Sequence, residues 1–183
     1  MHEPFPDYIK SEFKTKGYLP YQPTYYSIFA RSILDLKLLK FNPAKSTIID
    51  IGAGKGKAMV LASYFGFKKV IGIEIEKYFF LKASCEVELL KKKYPDKEFE
   101  LYNIDAINYF PKQTIDVVFL FNPFREKILE QLLSNFASVH FLPTYIIYLN
   151  PVARKVVESF GYSPKFSLKT GLHTEYIIFK FGK

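Results

Sequence analysis

The sequence is poor in several residue types, and each shortage excludes something. It has one cysteine, Cys85, so an intrachain disulfide framework and a paired-cysteine metal site are excluded. No apolar run approaches the roughly 20 residues of a membrane-spanning helix, since runs such as 117–121 and 145–149 have only the length of strands. The first ten residues contain two acids and no apolar stretch typical of a secretory signal. We therefore predict a cytoplasmic protein, in a reducing setting, without a membrane span.

Arginine is also scarce, because only three of the 26 basic residues are arginine and the remaining 23 are lysine. The formal net charge is nevertheless +8. Proteins that recognise nucleic acid usually use arginine for paired contacts to bases and phosphates. We interpret the lysine excess as a solvated basic surface, with a polyanion-binding face as the alternative.

The chain has the size and composition of one folded domain, with 183 residues, 49% hydrophobic and 24% charged. Four prolines predict that residues 1–23 form an irregular arm or cap, ahead of a domain at 24–183. Within this domain, apolar spacing predicts a helix at 24–40 and then strands that alternate with helices. The predicted strands are 47–51, 69–75, 99–103, 115–121 and 144–149, the further helices are 57–65, 78–94, 126–137 and 151–160, and the closing hairpin is 165–170 with 175–181.

This alternation predicts an α/β fold with a mostly parallel sheet, helices on both faces and a C-terminal antiparallel hairpin. Cys85 lies between apolar residues of the helix at 78–94, so we expect it to be a buried small side chain. The three histidines, His2, His140 and His173, are far apart and have no metal-ligand spacing, so we predict no metal site.

A glycine-rich turn follows the first predicted strand. Gly52, Gly54 and Gly56 stand at alternate positions in IIDIGAGKGKA, residues 48–58. A nicotinamide dinucleotide site would prefer a third glycine where this chain has Lys57. The simplest alternative is that the glycines only make a tight strand-to-helix turn.

Acidic residues near the ends of three successive strands favour a ligand site over that alternative. Asp50 precedes the turn and suits a ligand with a cationic amino group, because a carboxylate there would repel a pyrophosphate. Glu74 ends the second strand and can accept hydrogen bonds from ribose hydroxyls. Asp105 follows the third strand and can pair with an adenine amino group, while Ile75 and Ile104 can enclose a purine ring.

With these residues in place, the sequence resembles the class I S-adenosylmethionine-dependent methyltransferases. The resemblance is carried by DIGAGKG (50–56), VIGIEIE (70–76), NIDA (103–106) and FLFNPF (119–124), and covers the chain from Tyr21 onward. It implies a Rossmann-like fold with seven strands and S-adenosyl-L-methionine as cofactor. It also implies that the glycine loop passes the methionine part, that Asp50 holds the amino group, and that Glu74 and Asp105 bind the ribose and the adenine.

The resemblance also suggests where the acceptor binds. Methyltransferases that act on amino groups often carry an Asn or Asp, two prolines and an aromatic residue after the fourth strand. Asn122, Pro123 and Phe124 stand there, and Asn122 is also implied to contact the cofactor, but the single proline departs from the pattern for adenine or glutamine. The alternative is a strand terminator with a core phenylalanine.

Small bacterial and archaeal lysine methyltransferases look similar around the first motif and have a Tyr-x-Pro-Thr stretch before it. Tyr21 and Thr24 match that stretch and are implied to contact the cofactor. We therefore expect methylation of a nitrogen, with a protein lysine as the favoured acceptor. RNA, DNA or a small molecule as acceptor, and a non-catalytic scaffold subunit, are the alternatives, and the chain is expected to be a monomer or homodimer.

Overall fold

A computed structural model describes residues 25–121, 125–170 and 173–182, and only the backbone of residues 173 and 174. The predicted arm at 1–23, the cofactor residues Tyr21 and Thr24, and the acceptor residues 122–124 lie outside the described residues. Within the described part, no helix is long and apolar enough to cross a bilayer.

The described elements follow the predicted alternation. The helices are α1 (Tyr26–Leu38), α2 (Lys57–Tyr64), α3 (Lys77–Lys93), α4 (Glu126–Ser138) and α5 (Arg154–Ser159). The strands are β1 (Thr47–Ile51), β2 (Lys69–Ile73), β3 (Glu98–Tyr102), β4 (Val117–Phe121), β5 (Tyr145–Leu149), β6 (Tyr162–Thr170) and β7 (His173–Phe181). Short 3-10 turns occupy Pro43–Lys45 and Ala106–Asn108.

The seven strands form one sheet in the order β3-β2-β1-β4-β5-β7-β6. The strands β1 to β5 are parallel to one another, and β7 runs antiparallel to both β5 and β6. The predicted mostly parallel sheet with an antiparallel C-terminal hairpin is therefore confirmed. The strand order reverses between β1 and β4, so a ligand crevice is expected at the carboxyl ends of these two strands.

Alternation along the strands divides the core into two layers. In β1, Ile48 belongs to the cluster packed under α1, α2 and α3, and the next residue, Ile49, belongs to the cluster packed under α4 and α5. Successive side chains of a strand point to opposite faces, so a nearly continuous apolar strand is buried on both sides. Both faces of the sheet are thus covered by helices, as the sequence predicts.

A buried polar contact ties α1 to the antiparallel part of the sheet. The Tyr176 hydroxyl donates to Asp35 Oδ2 at 2.5 Å, and Arg31 Nε donates to Asp35 Oδ1 at 3.0 Å. Asp35 is only 6% exposed, so these two donors satisfy a carboxylate that is removed from water. Burial, followed by the hydrogen bond to Asp35, raises the pKa of Tyr176.

Two local predictions are wrong. Cys85 is exposed, because the buried face of α3 carries Ala83 and Val87, and a residue two positions from Ala83 lies about 200° around the helix. The last helix begins at Arg154 and not at residue 151. Asn150 has a left-handed φ of 47° and its N–H donates to Glu175 O, so the chain turns before the helix starts.

Candidate functional site

The glycine turn is docked onto the end of β2. The N–H groups of Gly52 and Ala53 both donate to Ile73 O, at 2.9 and 2.8 Å. Gly54 and Gly56 have φ values of 56° and 82°, in the left-handed region that residues with a Cβ seldom adopt. The turn therefore keeps its backbone close to the ends of β1 and β2, with no side chain between them at these positions.

Glu74 holds this turn in place. Its carboxylate is 7% exposed, Oε2 accepts from Gly54 N at 2.7 Å, and Oε1 accepts from Glu76 N at 2.8 Å. Burial raises the pKa of Glu74, although these backbone donors favour the ionised form. Each carboxylate oxygen has a further lone pair, so Glu74 can accept hydrogen bonds from a ligand while it fixes the turn.

Asp50 differs from Glu74, because its carboxylate receives no hydrogen bond from the described residues. It lies in β1, is 6% exposed, and has no hydrogen-bond donor or cationic partner among the described residues. Burial, followed by the nearby Glu74 carboxylate, raises the pKa of Asp50 from 3.8 to about 8. A positively charged ligand would reverse both effects, because it supplies the missing opposite charge. The site is therefore electrostatically suited to a cation.

The loop after β3 completes the described part of the site. Asp105 is half-buried, and its Oδ1 accepts from Ile107 N at 3.1 Å, so the carboxylate caps the 3-10 turn Ala106–Asn108. Ile75 and Ile104 are partly buried and pack against the core cluster under α4 and α5. Both side chains thus lie at the carboxyl edge of the sheet and remain partly exposed to solvent.

Asn103 was not predicted as a site residue. Its Nδ2 donates to the carbonyl oxygens of Glu74 and Ile75, at 2.9 and 3.0 Å. It therefore links the end of β3 to the segment that carries the acid and the isoleucine. A polar residue at the carboxyl end of a strand is the signal that could have found it.

The structure brings together the predicted residues that it describes. The residues at the carboxyl ends of the three adjacent strands β1, β2 and β3 are Asp50, Gly52, Gly54, Gly56, Glu74, Ile75, Ile104 and Asp105. Tyr21, Thr24, Asn122, Pro123 and Phe124 lie outside the described residues, and the roles of all the site residues stay predictions. In the described part of the chain, no group of three or more His, Cys, Asp or Glu side chains could hold a metal ion.

No family model and no curated protein matches the sequence. Solved structures match its fold. The ribosomal protein L11 methylase from Lactobacillus delbrueckii subsp. bulgaricus is 13% identical with a TM-score of 0.62, over 90% of this chain and 91% of that one. The magnesium protoporphyrin IX methyltransferase from Synechocystis PCC 6803, with bound S-adenosylmethionine, is 14% identical with a TM-score of 0.63, over 90% and 87%.

The methyltransferase domain of bacterial CtHen1 gives a further likeness. It is 16% identical with a TM-score of 0.64, over 87% of this chain and all of that one, 100%. At such low identities the likeness shows the fold and nothing finer. The chain has the Rossmann-like fold of the class I methyltransferases over most of its length.

Proposed function

We propose that this chain is a methyltransferase that uses S-adenosylmethionine as its methyl donor. The observation that carries the proposal is the buried Asp50 carboxylate, which has no positive partner among the described residues and lies beside the glycine turn. S-adenosylmethionine offers an ammonium group to this acid and ribose hydroxyls to Glu74. The likeness in fold to methyltransferases, one of them with this cofactor bound, supports the same assignment.

The described residues fit the parts of the cofactor one by one. Asp50 would hold the amino group, and the free lone pairs of Glu74 would accept from the ribose hydroxyls. Asp105 would accept from the adenine amino group, while Ile75 and Ile104 would pack on the two faces of the purine. The left-handed glycine turn would let the backbone approach the methionine part closely, because no Cβ stands in the way at the glycine positions.

The bound cofactor supplies an activated methyl group on a sulfonium, ready for in-line transfer to a nucleophile. The protein then has to bind, orient and exclude water, since such a transfer needs little acid or base assistance. Asp50 loses its proton when it pairs with the amino group, so binding below about pH 8 releases a proton. Asn122, Pro123 and Phe124 are proposed to orient the acceptor nitrogen.

We propose a nitrogen as the methyl acceptor, and a protein lysine as the favoured one. This finer proposal is supported by the residues Asn122-Pro123-Phe124 and by the sequence similarity around Tyr21 to Thr24, which all lie outside the described residues. RNA, DNA or a small molecule as acceptor, and a cofactor-binding scaffold without activity, are the outcomes that the experiment must separate.

Calorimetry with S-adenosylmethionine tests the cofactor first. We expect binding by the wild-type chain and at least a tenfold loss in Asp50→Asn, the effect of losing one charge-assisted contact. Asp116→Asn is the matched control, because Asp116 accepts from Thr47 N at the opposite end of β1. No binding at millimolar cofactor would overturn the proposal.

Labelled cofactor in a cell lysate then identifies the acceptor. Mass spectrometry should find a labelled methyl group on a lysine side chain of a protein, and Phe124→Ala should greatly reduce it while cofactor binding persists. Label in nucleic acid or in metabolites would refute the lysine assignment alone. Cofactor binding without any labelled acceptor would favour the scaffold.

A further inference from the structure

We propose that the amino-terminal edge of the sheet is a docking surface for single-stranded nucleic acid. The surface consists of Lys45, Lys68, Lys93 and Lys97 together with the exposed ring of Tyr64, and we call it the lysine edge. It lies at the other end of the strands from the candidate cofactor site and serves a separate purpose. The proposal of this docking surface does not depend on the proposed methyltransferase function.

Chain topology brings these lysines together. A lysine precedes each of three strands that are neighbours in the sheet. Lys45 lies two residues before β1, Lys68 directly before β2, and Lys97 directly before β3. The N–H of Lys68 donates to Pro43 O and Ser46 O, both at 3.1 Å, so the turn that carries Lys45 packs against it. Three positive charges from distant parts of the sequence thus share one edge.

Hydrogen bonds hold the side chains of Lys68 and Lys97 in place. A contact with the Tyr94 ring adds a fourth lysine, Lys93, to the edge. Lys97 Nζ donates to Ser63 O at 2.5 Å, and Lys68 Nζ donates to Asp96 O. The ammonium groups of Lys93 and Lys97 lie 5.4 and 4.7 Å from the centre of the Tyr94 ring. The positive charges are therefore held at the edge instead of being dispersed in solvent.

Asp96 offsets part of this positive charge, because its carboxylate favours the charged form of Lys97. Other carboxylates nearby pair with different lysines, Glu98 and Glu100 with Lys69 and Glu88 with Lys91. The four lysines of the edge form no ion pair with a described carboxylate. Partial burial, with a further contribution from the Lys68 ammonium, lowers the pKa of Lys97 against the opposing effect of Asp96. An incoming polyanion would relieve this repulsion.

The type of residue indicates the type of polyanion. Lysines are point charges that suit phosphates without reading bases, which favours binding independent of sequence. Tyr64 follows Ser63, the residue whose carbonyl binds Lys97, and its ring is 66% exposed. An exposed ring on the same edge of the sheet as several ammonium groups is the combination that binds unpaired bases and their phosphates together. A duplex would leave the ring unused.

The lysine edge cannot be the place of methyl transfer by the proposed mechanism. Strands of five residues separate it from the carboxyl edge, a distance of about 15 Å at roughly 3.3 Å for each residue. Nucleic acid bound there would hold the protein on a larger nucleoprotein while the carboxyl edge stays open.

Fluorescence anisotropy with labelled oligo-dT and oligo-U of about 12 nucleotides tests the docking. The triple variant Lys45→Gln, Lys68→Gln, Lys93→Gln should bind at least about tenfold more weakly, with a salt slope smaller by about 2. The control triple Lys155→Gln, Lys165→Gln, Lys169→Gln removes the same charge from exposed positions on α5 and β6, and should change the affinity less than about threefold.

Tyr64 supplies the second arm of the experiment. Tyr64→Phe should retain affinity and Tyr64→Ser should lose about fivefold or more, since stacking needs a ring. Equal weakening by both lysine triples, or no binding at low salt, would overturn the docking surface. Tighter binding of a duplex of the same length would overturn the single-stranded assignment, and equal competition by poly-glutamate would show a general anion surface instead. Cofactor affinity, measured in parallel, should be the same in both triples.

Discussion

Replacing Asp50 by Asn should make the ligand-free protein more stable, although it removes a residue of the candidate site. The amide has nearly the shape of the carboxylate and carries no charge. The wild-type carboxylate is buried, lies near Glu74 and has no cationic partner among the described residues. The ligand-free fold is therefore destabilised when this group ionises.

The sign and size follow from the two pKa values. Because the folded-state pKa is about 8 and the ordinary value is 3.8, the unfolded chain loses the Asp50 proton first as pH rises. Stability therefore falls between about pH 4 and pH 8 and reaches its lowest level above that window. At about 1.4 kcal/mol for each pKa unit, the upper limit of the destabilisation is about 6 kcal/mol, and the Asn variant should regain at least about 2 kcal/mol of it at pH 8.5.

Urea unfolding of ligand-free protein measures this effect. The chain has no tryptophan, so far-ultraviolet circular dichroism is the suitable signal. The free energy of unfolding should be compared from about pH 5.5 to 8.5, with the difference between variant and wild type growing as pH rises. Asp35→Asn is the matched control, because Asp35 is also 6% exposed but accepts from Arg31 and Tyr176. That change should destabilise by about 1 to 3 kcal/mol.

A different pattern would refute the reasoning. If Asp50→Asn destabilised the protein equally at every pH, the carboxylate would be making a favourable interaction in the ligand-free state. If both aspartate variants behaved alike, burial alone would decide the outcome and the missing partner would be irrelevant. Either result would remove the argument that the site awaits a cation.

The remaining predictions concern single positions. Glu74→Gln leaves one backbone donor without its carboxylate oxygen, so thermal unfolding should show a loss of about 1 to 3 kcal/mol and cofactor affinity should fall. Gly56→Ala should destabilise the fold by about 2 kcal/mol, because φ is 82° and the new Cβ would lie 3.2 Å from that of Ala83. Gly66→Ala, at φ 98° with nothing within 4 Å, should cost only about 1 kcal/mol. Exposed Cys85 should react with Ellman's reagent without unfolding, and slow labelling would contradict its exposure.

Local sequence patterns predicted where the strands lie better than they predicted which polar groups are in contact. β1 has the predicted bounds because TIIDI is a β-branched run that both faces bury. Cys85 was predicted to be buried because apolar residues lie near it in the sequence, but it is exposed. Burial in a helix depends on the angle around the helix axis and not on nearness in sequence. The Glu74 contact to Gly54 joins residues 20 positions apart, so no local pattern contains it, and the same holds for the contacts of Asn103, which follows β3. Sequence indicated which acids meet, but only the packed sheet shows which of them has a partner.

The net charge of +8 raises a physical problem for a cationic cofactor, and part of that positive charge lies away from the candidate site. S-adenosylmethionine carries a sulfonium and an ammonium against one carboxylate, so a uniformly basic surface would repel it. The lysine edge lies about 15 Å from the carboxyl edge, beyond the screening length of about 8 Å at physiological salt. The carboxylate of Glu74, and that of Asp50 once the ammonium group has displaced its proton, act on the bound cofactor through a less polar interior, where charges are screened far less than those of surface lysines. Cofactor affinity should consequently be almost independent of salt, while nucleic-acid affinity at the lysine edge falls steeply with it.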